Sequence, residues 1–248
     1  MELAQNSLEL VQPNPRDRPR NAARAEGSAF TSPSSECAAC GGAGWIRVEA
    51  GKSTGYRKCE CRSAQVIRER LSEIPERFRE ATFESYFPRT PSQERVHRVI
   101  KENPEGSYFL HGPYDSGKTH LLYAQYRRLA LAGIPCSART TVELLNEIQR
   151  MEFDHDFLSP AFAQVRTRGR YHLFWDDADK IKLTDFRAQA LHELIDTIYR
   201  KCLNLTITSN YSLKELGDLE RLPPSVIRRI DGMCKVLEIP GAADGNTR

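Results

Sequence analysis

At 248 residues the chain can bury one good core and carry a small second unit. Its composition, 28% charged and 40% hydrophobic, is that of an ordinary globular chain, and a net charge of +3 is too small to imply a polyanionic partner. The opening "MELAQNSLELVQPNP" lacks a basic region followed by an apolar run, and no apolar stretch approaches a bilayer span. Neither a secretory signal nor a membrane segment is expected, and the expected location is cytoplasmic.

Residues 1–35 are rich in Pro, Asn, Arg, Ala and Ser, without apolar period, and their four arginines and four acids cancel. That composition reads as a disordered tail. Residues 36–64 hold four of the seven cysteines, in "CAACGGAGW" and "RKCEC". Cys37 and Cys40 form C-x2-C, eighteen residues follow, and Cys59 and Cys61 form C-x-C. Four thiolates suit tetrahedral structural zinc, and Gly42 and Gly44 permit the tight turn that aims amides at sulfur. The first arm resembles half of the DnaJ-type C-x-x-C-x-G-x-G repeat. A redox-active dithiol is the alternative, but it lacks a βαβ context here. Between the arms Arg47, Lys52, Arg57, Lys58 and Arg62 outnumber Glu49 and Glu60, as a phosphate-binding ribbon or simply a solvated face.

Residues 65–91 read as a helix and linker. In "RSAQVIRERLSEIPERF" Ile67, Leu71 and Ile74 repeat at i, i+4, i+7 ahead of Pro75, and "ATFESYFPRTPSQ" reads as an aromatic linker. From 92 to 248 strands and helices alternate. "QERVHRVIKEN" is helical, "SYFLHG" a buried strand, "KTHLLYAQYRRLALAG" a helix stopped by Gly133, "IPCSA" a strand and "TVELLNEIQRM" a helix. "YHLFWDD" is a continuously apolar strand, "FRAQALHELIDTIYRKC" a helix, "NLTITSN" a strand, "PPSVIRRI" a short helix and "KVLEI" the last strand. The alternation predicts an α/β fold: a parallel sheet sandwiched by helices.

Between the first strand and its helix lies "GPYDSGKTH", which meets G-x-x-x-x-G-K-[ST] at Gly112, Gly117, Lys118 and Thr119. The residues offered to a nucleotide are Gly112, Pro113, Tyr114, Asp115, Ser116, Gly117, Lys118, Thr119 and His120. The amides of 113–118 form an anion nest, the helix start adds its positive end, Lys118 reaches the β- and γ-phosphates and Thr119 ligates magnesium. Asp115 is an unusual acid in such a loop, admitted because Asp tolerates left-handed backbone angles. His111 and His120 have no ligand-spaced partner, so packing or hydrogen bonding suits them better. Asp176 and Asp177 end the apolar strand: Asp176 to hold magnesium, Asp177 to orient the attacking water, unless both are merely solvated acids. Asn210 ends the next strand, as a γ-phosphate sensor or a turn residue.

The ordered set "IPERFREATFESY", "GPYDSGKTHLL", "FWDDADK", "LTITSNYSLKEL" and "VIRRIDGMCKVLEI" resembles the AAA+ helicase loaders of the DnaC and DnaI type, and also the IstB transposition helpers, over residues 74–248. The resemblance implies a P-loop AAA+ core that binds ATP and magnesium, hydrolyses ATP weakly as a switch, binds single-stranded DNA, and places a replicative helicase during replication. It assigns Asp176 and Asp177 the Walker B role, Asn210 the sensor role and Arg229 the finger for a neighbouring subunit's site, with Arg228 in reserve; an intrachain bridge from Arg229 to Asp231 is the alternative. AAA+ proteins more often carry Glu where Asp177 stands, which suggests slow hydrolysis. With 38 residues after Asn210, no C-terminal lid domain is expected. The core shows no second cation of its own for the γ-phosphate. Arg166, Arg168 and Arg170 are candidates to line a DNA path, the alternative being a solvated loop, and Arg139 and Thr140 stand where relatives approach DNA. A transposition helper does not need the zinc unit. A small-molecule kinase needs an arginine-bearing lid, and a nucleotide-gated adaptor with little hydrolysis remains open.

Overall fold

The computed structural model describes residues 37–241 except 42, 51–52, 154–159, 168–169 and 181–182. The tail expected over 1–35 therefore lies outside the described residues, as do Gly42, Lys52 and Arg168. The chain falls into two compact units, Met1–Glu69 and Arg70–Arg248.

In the first unit β1 (Trp45–Ala50) and β2 (Ser53–Lys58) form an antiparallel hairpin, in register from Trp45 opposite Lys58 to Ala50 opposite Ser53. The sequence reading assigned no strand here, because two short strands with one apolar face give a weak period. The Arg62 guanidinium lies 4.5 Å over the Trp45 ring, a cation–π contact that shields the indole. Helix α1 (Glu60–Ser72) starts directly after Cys59. It ends two residues before Ile74, so Ile74 is not on the expected helical face.

The second unit contains α2 (Pro91–Glu102), β3 (Tyr108–His111), α3 (Lys118–Leu131), β4 (Cys136–Thr140), α4 (Thr141–Phe153), α5 (Pro160–Thr167), β5 (His172–Asp176), α6 (Asp185–Arg200), β6 (Asn204–Ser209), α7 (Leu213–Asp218), α8 (Pro224–Met233) and β7 (Lys235–Glu238). The sheet is parallel throughout, in the order β4-β5-β6-β3-β7. Two short helices, α5 and α7, escaped the sequence reading. The second is nucleated by a capping box in which Ser212 and Glu215 satisfy each other's backbone amides.

Alternation along the strands sorts the core onto two faces. Phe109, Leu173, Trp175, Leu205 and Ile207 pack with Leu191, Ile195 and Ile198 of α6 and Val226 and Ile230 of α8. Tyr108 and Leu110 point the other way, against Val96 and Ile100 of α2 and Leu121 of α3. Phe83 and Tyr86 belong to that second cluster, and Ile74 and Ala81 to a neighbouring one with Tyr123 and Tyr126. The stretch read as an aromatic linker is thus packed into the second unit, with Phe83 and Tyr86 against Leu121 and Ala124 of α3. Ahead of that stretch, Glu73 accepts from the Tyr126 hydroxyl of α3 at 2.7 Å.

Candidate functional site

The sheet order positions the site. β6 lies between β3 and β5, so the three strand ends bearing the phosphate loop, Asn210 and Asp176 stand side by side at the carboxyl edge, where open α/β sheets bind ligands.

The loop after β3 adopts the backbone that its residue types allow. Gly112 and Gly117 take φ of 148° and 92°, and Asp115 takes 57°. A Cβ on Gly112 would stand 2.0 Å from the Ile239 carbonyl oxygen, and one on Gly117 2.7 Å from the Tyr86 ring, so close backbone approach as well as φ requires glycine. Lys118 begins α3 and is buried, its Nζ donating to the carbonyls of Gly112 (2.9 Å) and Pro113 (2.7 Å) and to Ser116 Oγ (3.3 Å). Burial pushes its pKa down, opposed by the carboxylates of Asp179, Asp177, Asp176 and Asp115. Tyr114 is exposed at the loop tip, while Pro113 contributes its carbonyl to the lysine. The His120 ring turns away toward the Thr82 carbonyl (3.0 Å) and Ser85 Oγ (3.3 Å), a hydrogen-bonding role.

Asp176 is 7% exposed and accepts from Thr119 Oγ1 (3.1 Å) and from the Thr208 hydroxyl. Burial raises its pKa, and the Thr208 bond opposes the rise. Thr119 and Asp176 form a hydroxyl–carboxylate pair of hard oxygens, the donor type that magnesium takes, so these residues fit that ion. Asp177 has a left-handed backbone, φ 60°, held from both sides: its N–H donates to Thr208 Oγ1 (2.9 Å) and its carbonyl accepts from Thr141 Oγ1 (2.6 Å). Its carboxylate is ion-paired with Lys180. A 3-10 turn, Ala178–Lys180, brings the Lys180 ammonium back to Asp177, a cation that the sequence reading did not weigh. Thr141, Thr208, Asp179 and Lys180 were not singled out from the sequence. The "DDADK" spacing was the available signal for the last two.

Asn210 donates through its backbone N and through Nδ2 to the two carboxylate oxygens of Asp179, both at 2.9 Å. Arg229 does not pair with Asp231. The helical turn of α8 presents it to α6, where its Nε and Nη2 lie 2.8 and 2.6 Å from Asp196 Oδ1. The guanidinium holds the Asp196 carboxyl below the usual range. Arg228 is exposed, with no ion pair among the described residues.

Most of the arginines considered for DNA are engaged within the chain. Arg166 pairs with Glu193 and Arg170 with Glu105. Arg139 is drawn onto α4 by Glu147, Nε to Oε1 2.7 Å, and Thr140 is occupied with Glu143.

In the first unit the four sulfurs of Cys37, Cys40, Cys59 and Cys61 lie within 4.8 Å of one another. The Cys37–Cys59 and Cys40–Cys61 separations are 3.7 and 3.4 Å. A tetrahedron of about 2.3 Å zinc–sulfur bonds has edges of about 3.8 Å, so the thiols fit zinc. The Gly44 N–H donates to Cys40 Sγ at 3.3 Å, as a metal-bound thiolate requires. The hairpin sets this geometry by holding the two arms together, with Gly41 and Gly44 at φ 56° and 71° turning the first arm.

No protein-family model and no curated protein sequence matches the chain. Solved structures do. The DnaC helicase loader superposes with a TM-score of 0.57 at 26% identity, over 66% of this chain and 99% of that one. DnaI superposes at 0.54 and 17% identity, over 68% and 92% of the two chains. The replication initiator DnaA bound to AMPPCP and single-stranded DNA superposes at 0.55 and 17% identity, over 64% of this chain and half of the DnaA chain. Among the described residues no helix is long and apolar enough to cross a membrane. A parallel five-stranded sheet flanked by helices, with the phosphate loop after β3, is the AAA+ P-loop fold that the larger unit shares with the DnaC and DnaI structures.

Proposed function

We propose that this chain is an ATP-dependent loader that binds single-stranded DNA and a replicative helicase, with ATP as a switch. The observation that carries the reading is the match to nearly the whole length of the DnaC helicase loader, 99% at 26% identity. In this reading the loop amides and Lys118 bind the triphosphate. Asp177 aligns a water that attacks the γ-phosphorus as the bond to the β-phosphate oxygen breaks and ADP leaves. Magnesium, held by Thr119 and Asp176, supplies positive charge to the phosphate oxygens. Zinc, held by Cys37, Cys40, Cys59 and Cys61, fixes the fold of a small unit that offers a surface to a protein partner.

The cation given to a neighbouring subunit's nucleotide is Arg228. Arg229 is held on α6 by Asp196, whereas Arg228 is exposed on the same helix. Subunits then stack when ATP is bound and separate when it is hydrolysed.

One observation favours a second reading, a nucleotide-gated adaptor with little turnover. Lys180 is paired with Asp177, so the carboxylate that would align the attacking water is engaged. Single-turnover hydrolysis with and without single-stranded DNA separates the two: acceleration supports the loader, and a flat, slow rate the adaptor. The partner is tested by affinity isolation from the native host with and without ATP. A hexameric helicase retained with ATP is the expected result, and a transposase in its place would assign the chain to transposition.

A further inference from the structure

The chain carries a third acid beyond the pair that ends β5, and nothing in the reading above requires it. Asp179 is 2% exposed on the 3-10 turn Ala178–Lys180. A carboxylate so deeply buried is stable only with its oxygens satisfied. Both are satisfied by one residue: Oδ1 accepts the Asn210 backbone N–H and Oδ2 accepts Asn210 Nδ2, each at 2.9 Å. The Asp179 carbonyl accepts in turn from Arg221, whose guanidinium lies 5.5 Å from the centre of the Tyr211 ring. The end of β6 is therefore gripped at three successive points: the Asn210 backbone, the Asn210 side chain, and the Tyr211 ring under Arg221.

The chemistry of the pair decides how the amide of Asn210 is turned. An ionised carboxylate only accepts, so the group facing Asp179 must be the NH2 and not the carbonyl. With one Nδ2 hydrogen given to Asp179, one hydrogen and Oδ1 are left for any other partner. Without Asp179 the amide is free to rotate by half a turn and to present its oxygen where a donor is needed. An oxygen presented to a phosphate would repel it.

We infer that Asp179 is the positioning residue of the γ-phosphate sensor: it fixes the rotamer and flip of Asn210 so that an amide N–H, and not an amide oxygen, is available to the γ-phosphate. This rests on the reading of Asn210 as that sensor. Asp179 itself touches no phosphate in the mechanism. Its effect belongs on the rate of hydrolysis and not on the affinity for nucleotide, because donors aimed at developing charge act in the transition state.

The test is a double-mutant cycle on the full chain with magnesium and ATP, with single-turnover hydrolysis and ATP affinity as readouts. Asn210→Ala should slow hydrolysis between about 100-fold and 1000-fold, the range for removing one such donor. Asp179→Asn is nearly isosteric and sets an NH2 against the Asn210 donors. It should slow hydrolysis by a similar factor and leave ATP affinity within about twofold. The double variant should be no slower than Asn210→Ala alone, because residues that act through one another are not additive. Asp179→Glu keeps the acceptor on a longer arm and should recover part of the rate. It also serves if Asp179→Asn fails to fold. Factors that multiply in the double variant, or a loss of ATP affinity as large as the loss of rate, would overturn the inference. An Asn210→Ala chain that hydrolyses at the wild-type rate would instead sink the sensor reading.

Discussion

Lys118 illustrates how a side chain serves a site before any ligand arrives. Its ammonium is desolvated and is held by two loop carbonyls and a hydroxyl, at 2.7 to 3.3 Å. A triphosphate offers stronger, charged acceptors, so the lysine exchanges partners with no new desolvation. Lys118→Ala should therefore abolish tight ATP binding, lowering affinity at least about 100-fold given two charge-assisted bonds of about 1.5–3 kcal/mol each; equilibrium titration with a fluorescent ATP analogue checks it. A different residue sets the acid limit of the fold. His172 is buried in β5, stacked on Phe174 at 4.2 Å. The Gln125 amide donates to the carbonyls of Pro104 and Gly106, its Oε1 accepts from Thr206, and the Thr206 oxygen accepts from His172 Nε2 at 2.9 Å. That chain places the ring proton on Nε2, leaving Nδ1 as a bare acceptor with no partner among the described residues. Burial pushes the pKa down to about 3, against about 6.5 in the unfolded chain. Above pH ~6.5 both states are neutral there and the group contributes nothing. As pH falls below that value only the unfolded state takes the proton, and stability drops by about 1.4 kcal/mol per pH unit until the folded value is reached. Between pH 7.5 and 5.5 wild type should lose about 1.4 kcal/mol more than His172→Gln in urea unfolding. Equal losses would show that the ring titrates in the folded chain.

At the scale of elements, the hairpin β1–β2 and the start of α1 are too small to hold a core. In the described part of the first unit the one buried hydrophobic residue is Cys59. In the proposed reading its order comes from zinc, and binding free energy is then folding free energy. Cys59→Ser should release the zinc and abolish the hairpin's amide protection, leaving ATP affinity of the second unit within about twofold; zinc content by atomic absorption and hydrogen exchange read the two effects. Unchanged zinc in the variant would remove Cys59 from the site. The two strands end at cysteine arms that the sequence shows plainly, yet the hairpin itself was not legible. Its period is two over six residues, and no apolar run marks it. The reverse held for "ATFESYFPRTPSQ": its prolines and aromatic residues suggest a linker, and only the three-dimensional neighbours of Phe83 and Tyr86 show that part of it is core.

For the whole molecule, the question is where the positive charge for the γ-phosphate comes from. Lys118 supplies one cation. Lys180 is a second, but it is committed to Asp177. The third is expected from a neighbouring copy, through Arg228. Hydrolysis per chain should therefore rise with protein concentration, or with single-stranded DNA that gathers subunits, and Arg228→Ala should remove the rise by at least about tenfold with ATP affinity unchanged. Mixing Arg228→Ala with Lys118→Ala chains should restore part of the activity, since each has what the other lacks. Arg229→Ala, in contrast, breaks the pair with Asp196 and should lower stability with little effect on the rise. If Arg229→Ala removes the rise and Arg228→Ala does not, the finger is Arg229, freed from α6 on assembly.

Motifs and periods are local, and what they specify was readable without coordinates. The phosphate loop needs Gly112 and Gly117 for its backbone and Lys118 for its charge, all within eight residues, and a parallel sheet announces itself through continuous apolar strands such as "HLFW". Four cysteines at metal spacing likewise carry their chemistry in their order. The tertiary structure decided what depends on neighbours distant in sequence. The strand order set β6 between β3 and β5, and so gave Asp176 the Thr208 hydroxyl, Asp177 its left-handed backbone, and Asn210 its buried partner Asp179. It turned Arg229 onto Asp196, 33 residues away, and left Arg228 in solvent. A side chain's type limits what it is able to bind, but burial and the partner facing it are set by packing between elements, which no local pattern encodes.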